Sequence, residues 1–228
     1  MVWSGLLTLG VVGYQLFVTD IINDRVQEDA RQELEVEMEV ARQDLEDPIV
    51  VETQPPQAGA DSPGTTATTE RIEYFSEQVY DEATPFAEMR IPSIGVEQVL
   101  FEGVTPATLR LGPGHMPWTP LPGQPGNAVI SGHRTTYGAP FYDIDALAPG
   151  DVIEIDTVIG THVYTVRQQV IVSPTDVWVT EPRQGAWLTL TTCHPRFSAR
   201  ERLIIFAELT SGPNLEYVEF MDSAVGAA

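Results

Sequence analysis

Ala186-Trp-Leu-Thr-Leu-Thr-Thr-Cys-His-Pro-Arg-Phe-Ser-Ala-Arg-Glu-Arg-Leu-Ile-Ile-Phe-Ala-Glu-Leu209 is the stretch whose reading decides the fold. It predicts a β-strand over Trp187–Cys193, a polar loop, and an almost wholly apolar strand over Arg202–Leu209. Side chains alternate along a strand, so Leu188, Leu190 and Thr192 share one face and Trp187, Thr189, Thr191 and Cys193 the other. The leucines are the core anchors, which leaves Cys193, the one cysteine of the chain, off the apolar face. Pro195 has no N–H to give and ends the pairing, so the thiol sits at a sheet margin. Paired as a hairpin, the two strands bring Cys193 and Arg202 about 5 Å apart. A guanidinium stays charged at any working pH and stabilises a thiolate or a developing oxyanion. Arg196 and Arg200, in the same loop, are its rivals.

Working outward, residues 84–210 alternate short apolar runs with Gly and Pro. Strands are predicted at Phe86–Ile91, Val96–Phe101, Asn127–His133, Val152–Asp156 and Thr161–Val172. Thr105 as a cap, Pro106 and the terminating Gly112 predict one short helix. Leu111–Gly126 reads as a long loop. The fold class is therefore mainly β, a closed barrel of about eight strands with short helices. Residues 211–228 read as a disordered tail.

Residues 1–19 carry no ionisable side chain and are long enough to span a membrane. With neither a basic n-region nor a small-x-small cleavage site, they read as an uncleaved anchor rather than a signal peptide. Residues 20–47 are acidic, with Ile22, Val26, Ala30, Leu34 and Met38 at four-residue spacing. This narrow stripe predicts a solvated juxtamembrane helix or a stalk. Residues 48–83, rich in Pro and Thr up to Glu70, read as a linker and lead-in.

The formal charge is −21, from 33 acidic against 12 basic residues, with no cluster of Lys and Arg. That excludes nucleic acid as a partner and disfavours adhesion to anionic lipid. A single cysteine excludes an internal disulfide, and nothing resembles CxxC or HExxH, so no metal site is expected.

A thiol nucleophile needs an imidazole to accept and return a proton. Of four histidines, His194 points away from the face of Cys193, and His162 starts a strand and reads as surface. His115 lies in the Pro/Gly-rich loop, whereas His133 ends a strand, a placement like that of Cys193. Position favours His133 over His115 without deciding between them.

Thr189-Leu-Thr-Thr-Cys193 resembles the TLxTC signature of sortases, the membrane-anchored cysteine transpeptidases of Gram-positive surfaces. Arg202-Leu-Ile-Ile205 is similar to the strand bearing their active-site arginine, and Ser131-Gly-His-Arg134 to their histidine segment. Gly-Pro-Gly-His at 112–115, the block 132–141 and Cys193-His-Pro-Arg-Phe197 look like class E, the actinobacterial housekeeping type. The resemblance spans roughly residues 84–209. It implies Cys193 as nucleophile, His133 as proton shuttle and Arg202 as oxyanion partner, with Thr192, Met116, Tyr137 and His115 as substrate-binding residues and no cofactor. It implies cleavage between Thr and Gly of an LPxTG- or LAxTG-like sorting signal on surface proteins. The acyl group would pass to a peptidoglycan-precursor amine, by a catalytic domain held outside a single-pass membrane anchor. Class E proteins often carry a tyrosine, associated with the LAxTG preference, where this chain has Met116. A thioether cannot donate that hydrogen bond, so the residue after Leu stays open. The rivals are a thiol hydrolase using the same groups and a non-catalytic β-barrel binding module, which would need none of the three together.

Overall fold

A computed structural model describes residues 19–46 and 80–225. Residues 1–18 of the expected anchor and most of the linker lie outside the described residues. No helix among those described is long and apolar enough to cross a membrane.

Eight strands close into one barrel: β1 (Pro85–Ile91), β2 (Val96–Glu102), β3 (Gly114–His115), β4 (Gly126–Ser131), β5 (Val152–Thr157), β6 (Gly160–Val172), β7 (Ala186–His194) and β8 (Glu201–Ser211). Around the barrel the order is β1-β2-β3-β4-β7-β8-β6-β5, with β5 returning to β1. Two pairs, β2–β3 and β4–β7, are parallel, and the rest are antiparallel. Closure removes the free sheet edges that a chain this rich in short strands would otherwise expose.

The strand registers follow from alternation. Leu188, Leu190 and Thr192 of β7 are buried, as their spacing predicts, and so are Leu203, Ile205 and Ala207 of β8. Ile204 and Phe206 point the other way into a second apolar cluster with Val179, Val170, Val172 and Trp187. The segment Val177–Thr180, a 3₁₀ turn between β6 and β7, contributes Val179 to that cluster. Both faces of β8 are therefore covered, which is why it reads as an unbroken apolar run.

Four local expectations are corrected. The helix expected after Thr105 is a three-residue 3₁₀ turn, Thr108–Arg110. β3 lies inside the expected long loop, since two residues are too few to show a period. In place of a disordered tail, β8 runs to Ser211 and is followed by helix α2 (Leu215–Val225), which buries Val218 in the core. Asn214 at its start donates Nδ2–H to Gly123 O at 3.2 Å. His162, expected at the surface, is 0% exposed, and its ring lies directly over Gly123.

The acidic helix α1 (Thr19–Glu46) departs furthest from expectation. It lies against the barrel rather than in water. Ala30, Leu34 and Met38 join the core, and burying the last two is worth roughly 3–6 kcal/mol by transfer. One amide and two guanidinium groups extend that contact. Gln27 donates to Leu111 O at 2.9 Å and accepts the N–H of Val99 at 2.7 Å. Arg31 pairs with Glu88 at 2.8 Å and Arg42 with Asp156 at 3.2 Å. Ile22, on the same expected stripe, is 53% exposed. The docked face is set partly by Asn23 and Gln27, polar residues that a hydrophobic stripe cannot register.

Candidate active site

The ends of β4, β7 and β8 lie side by side, with β7 between its two neighbours. In the β7–β8 hairpin Cys193 is directly opposite Arg202. Directly opposed residues of an antiparallel pair project to the same face with Cβ atoms about 4.5–5.5 Å apart. On the other flank, parallel pairing runs to Ser131↔Thr191, and Gly132 N–H donates to Thr191 O at 3.1 Å. Thr192 Oγ1–H donates to Gly132 O at 2.7 Å, carrying the contact one residue further. His133 and Cys193 are each two residues beyond the last register pair, on strands about 4.8 Å apart. An imidazole, a thiol and a guanidinium thus come from three adjacent strand ends. Cys193, His133 and Arg202 are all half-buried.

The His133 ring stands against Tyr137, with centroids 5.0 Å apart and planes at 46°. The Arg110 guanidinium lies 5.7 Å from the Tyr137 ring centre. Burial first, and then the Arg110 charge, push the His133 imidazole below its ordinary 6.5. At neutral pH it is therefore an uncharged ring able to accept a proton.

The Arg202 guanidinium rests on Ala199 O at 2.9 Å and Glu201 O at 3.0 Å. Arg200 is exposed in the loop before the strand. Arg196 is tied to Tyr142 O, Asp143 and Asp145. Of the three arginines, only Arg202 has a register partner in Cys193.

Thr192 is 3% exposed, and its hydroxyl is committed to Gly132 O, so it joins the thiol strand to the histidine strand rather than facing a ligand. His115 is 2% exposed, with Nδ1 2.8 Å from the Glu102 carboxylate and Nε2 3.1 Å from Pro120 O. A ring so enclosed is not open to substrate, which corrects its expected role. It also removes His115 as the alternative proton shuttle. β3 runs antiparallel to β4, and Met116 N–H meets Val129 O. That level is four residues before His133, about 13 Å back along the strand. Met116 is accordingly not among the groups gathered at this rim.

Arg134 is a residue bordering the site to which reading the sequence gave no role of its own. Its side chain is buried, with Nη2 2.8 Å from Asp145. It donates to Tyr142 O at 3.2 Å and reaches His194 Nδ1 at 3.2 Å and Cys193 O at 3.5 Å. The residue following His133 thereby grips the backbone of Cys193 from behind. No local pattern distinguishes such an arginine from a surface charge.

A thiol flanked on neighbouring strands by an imidazole and a guanidinium, at the rim of a closed barrel, is an arrangement suited to cysteine acyl transfer. The chain belongs to the sortase family, whose domain model matches residues 89–210 and whose members are cysteine transpeptidases. It is similar to sortase SrtE1 of Streptomyces coelicolor, at 32% identity over 54% of this chain and 40% of the relative, and so spans well under half of that protein. Sortase E from Streptomyces avermitilis superposes with a TM-score of 0.54 at 37% identity, covering 58% of this chain and 91% of that one. Sortase C of Clostridium perfringens, solved with the C-terminal cell wall sorting motif, gives 0.56 at 25% identity, covering 64% and 88%. Within the family the chain is class E-like.

Proposed function

We propose that this chain is a sorting transpeptidase in which Cys193, His133 and Arg202 carry the chemistry. The observation that supports it most is the pairing of Cys193 with Arg202 beside the strand end that bears His133. His133, uncharged at neutral pH, takes the thiol proton as sulfur attacks the Thr carbonyl of an LPxTG- or LAxTG-like signal. Arg202, turned from the loop carbonyls, stabilises the oxyanion. The C–N bond breaks, His133 returns its proton to the leaving amine, and the acyl group remains on sulfur. A peptidoglycan-precursor amine then attacks the thioester and passes its excess proton to His133; the C–S bond breaks, and His133 returns that proton to sulfur to restore the thiol. The sorting-motif complex of the Clostridium perfringens relative supports the substrate class. The uncharged run at residues 1–19 supports a membrane anchor, and membership of the sortase family supports a barrel outside the cell.

The test is to incubate the full chain in detergent with an LAxTG or LPxTG peptide and an amine acceptor, and to read the products by mass spectrometry. An amide-linked product that Cys193→Ala abolishes supports the reading. Turnover by the Cys193→Ala protein refutes the nucleophile, and exclusive transfer to water makes the enzyme a hydrolase.

A further inference from the structure

The N-terminal helix reaches the histidine loop. Asn23 of α1 is 4% exposed, and its Nδ2 donates to Arg110 O at 3.0 Å and to Leu111 O at 3.1 Å. Its Oδ1 lies so close to Gly138 that a Cβ there would meet it at 2.1 Å. One amide therefore touches two separate segments. The first carries Arg110, whose guanidinium faces Tyr137. The second is the turn at 137–139, whose Tyr137 stands against His133.

That turn has little freedom to hold itself. Tyr137, Gly138 and Ala139 all have positive φ, at 53°, 73° and 43°. Two consecutive-turn residues with side chains persist in that region only where their surroundings over-determine them. Ala139 N–H donates to Thr136 O at 3.0 Å, and Phe141 N–H closes the loop on His133 O at 3.1 Å. Displacing the turn therefore moves the Tyr137 ring against His133.

We propose that Asn23 is a positioning residue for His133, clamping the Arg110 segment to the 137–139 turn so that the N-terminal helix forms part of the catalytic unit. The idea rests on the assignment of His133 as the proton shuttle. Asn23 touches no reacting atom and acts through Tyr137. A misplacement of about 1 Å costs up to about a hundredfold in rate, and partial loosening of the loop is expected to lower kcat by about tenfold with KM within about twofold.

The experiment compares full-length Asn23→Ala, Asn23→Asp and Arg42→Ala with the parent chain. Arg42 holds the far end of the same helix through Asp156 and Thr157 O, away from the loop. Asn23→Asp keeps the shape and one oxygen against Gly138 but loses both N–H donors, so it separates the clamp from simple loss of volume. Thermal melts establish that each variant folds. The expected result is a lower kcat in both Asn23 variants, an unchanged kcat in Arg42→Ala, and a shift of the His133 ring NMR resonances as the Tyr137 ring current is lost. Equal kcat losses in all three variants, or His133 resonances unmoved in folded Asn23→Asp, overturn the proposal. The NMR arm needs no turnover, so an inactive parent chain refutes the function while leaving the clamp to be decided by the resonances.

Discussion

Replacing His162 by Phe removes a pH-dependent loss of stability whose size follows from the structure. The ring is wholly enclosed, beneath Gly123 and beside Gly212, with Nε2 3.3 Å from Thr157 Oγ1. Exclusion from water favours the uncharged ring and lowers its pKa from 6.5 to about 4, with the charge of Asp156 opposing the shift. In the unfolded chain the same ring protonates near 6.5. Between these two values the unfolded state holds one more proton, so stability falls as pH falls. The penalty is absent above 6.5, grows through that window and levels off below about 4, where both states are protonated. At 1.36 kcal/mol per unit the shift amounts to roughly 3 kcal/mol. Phe keeps an aromatic ring in the space, and Thr157 Oγ1–H still donates to Gly160 O. The larger ring is expected to cost about 1–3 kcal/mol, independent of pH. Urea unfolding of both proteins at intervals from pH 7.5 to 4 measures the effect. The many carboxylates titrate alike in the two and cancel in the difference. The expected outcome is that the parent loses about 3 kcal/mol relative to His162→Phe across the window. Parallel stability curves would refute the buried, uncharged ring.

Three further outcomes bear on the site. Arg202→Ala is expected to lower kcat/KM by about a hundredfold or more in the peptide-transfer assay, while Arg200→Ala changes it little. Equal effects would remove the significance of the Cys193–Arg202 register. Thr192→Val swaps a hydroxyl for a methyl at nearly constant volume and leaves Gly132 O buried without its donor. It should destabilise the chain by about 1–3 kcal/mol in urea titration and slow transfer by loosening His133; an unchanged midpoint would mean that the hydroxyl carries no weight. Arg110→Gln removes the smaller of the two causes that depress His133. The acid limb of the kcat/KM profile, set below pH 6.5 in the parent, should move upward only part of the way, because burial remains. A limb that stays in place would exclude Arg110 from His133's electrostatics.

Much of the fold was legible in the sequence, because it depends on local properties. Alternation placed Leu188, Leu190 and Thr192 inward, and Pro and Gly punctuation marked the strands that close into the barrel. Cys193 and Arg202 could be paired because an eight-residue connection between two strands makes a hairpin. The reading weakened where contact depends on distant chain. β3 is two residues long and has no period. Helix α2 was missed, and the seat of α1 was misjudged. His162 lies near the start of a strand, just after a turn, and only the barrel's closure shows that Gly123 covers it.

The sequence by itself therefore determined the strand faces, the barrel class and the nearness of the thiol to a group of three arginines, since each follows from near-neighbour chain geometry; the register of β7 and β8 then singled out Arg202. Only the tertiary structure decided how tightly His133 is placed and by what. Its strand meets Cys193 through a parallel contact sixty residues apart, joined by Thr192 Oγ and Gly132 O. The structure alone also made Arg134 a support for Cys193 and Asn23 a clamp on the histidine loop. The physical reason is the same in each case. A hydroxyl, a guanidinium or an amide is polar whether it meets water or a buried carbonyl, and which it meets is settled only when remote segments pack together.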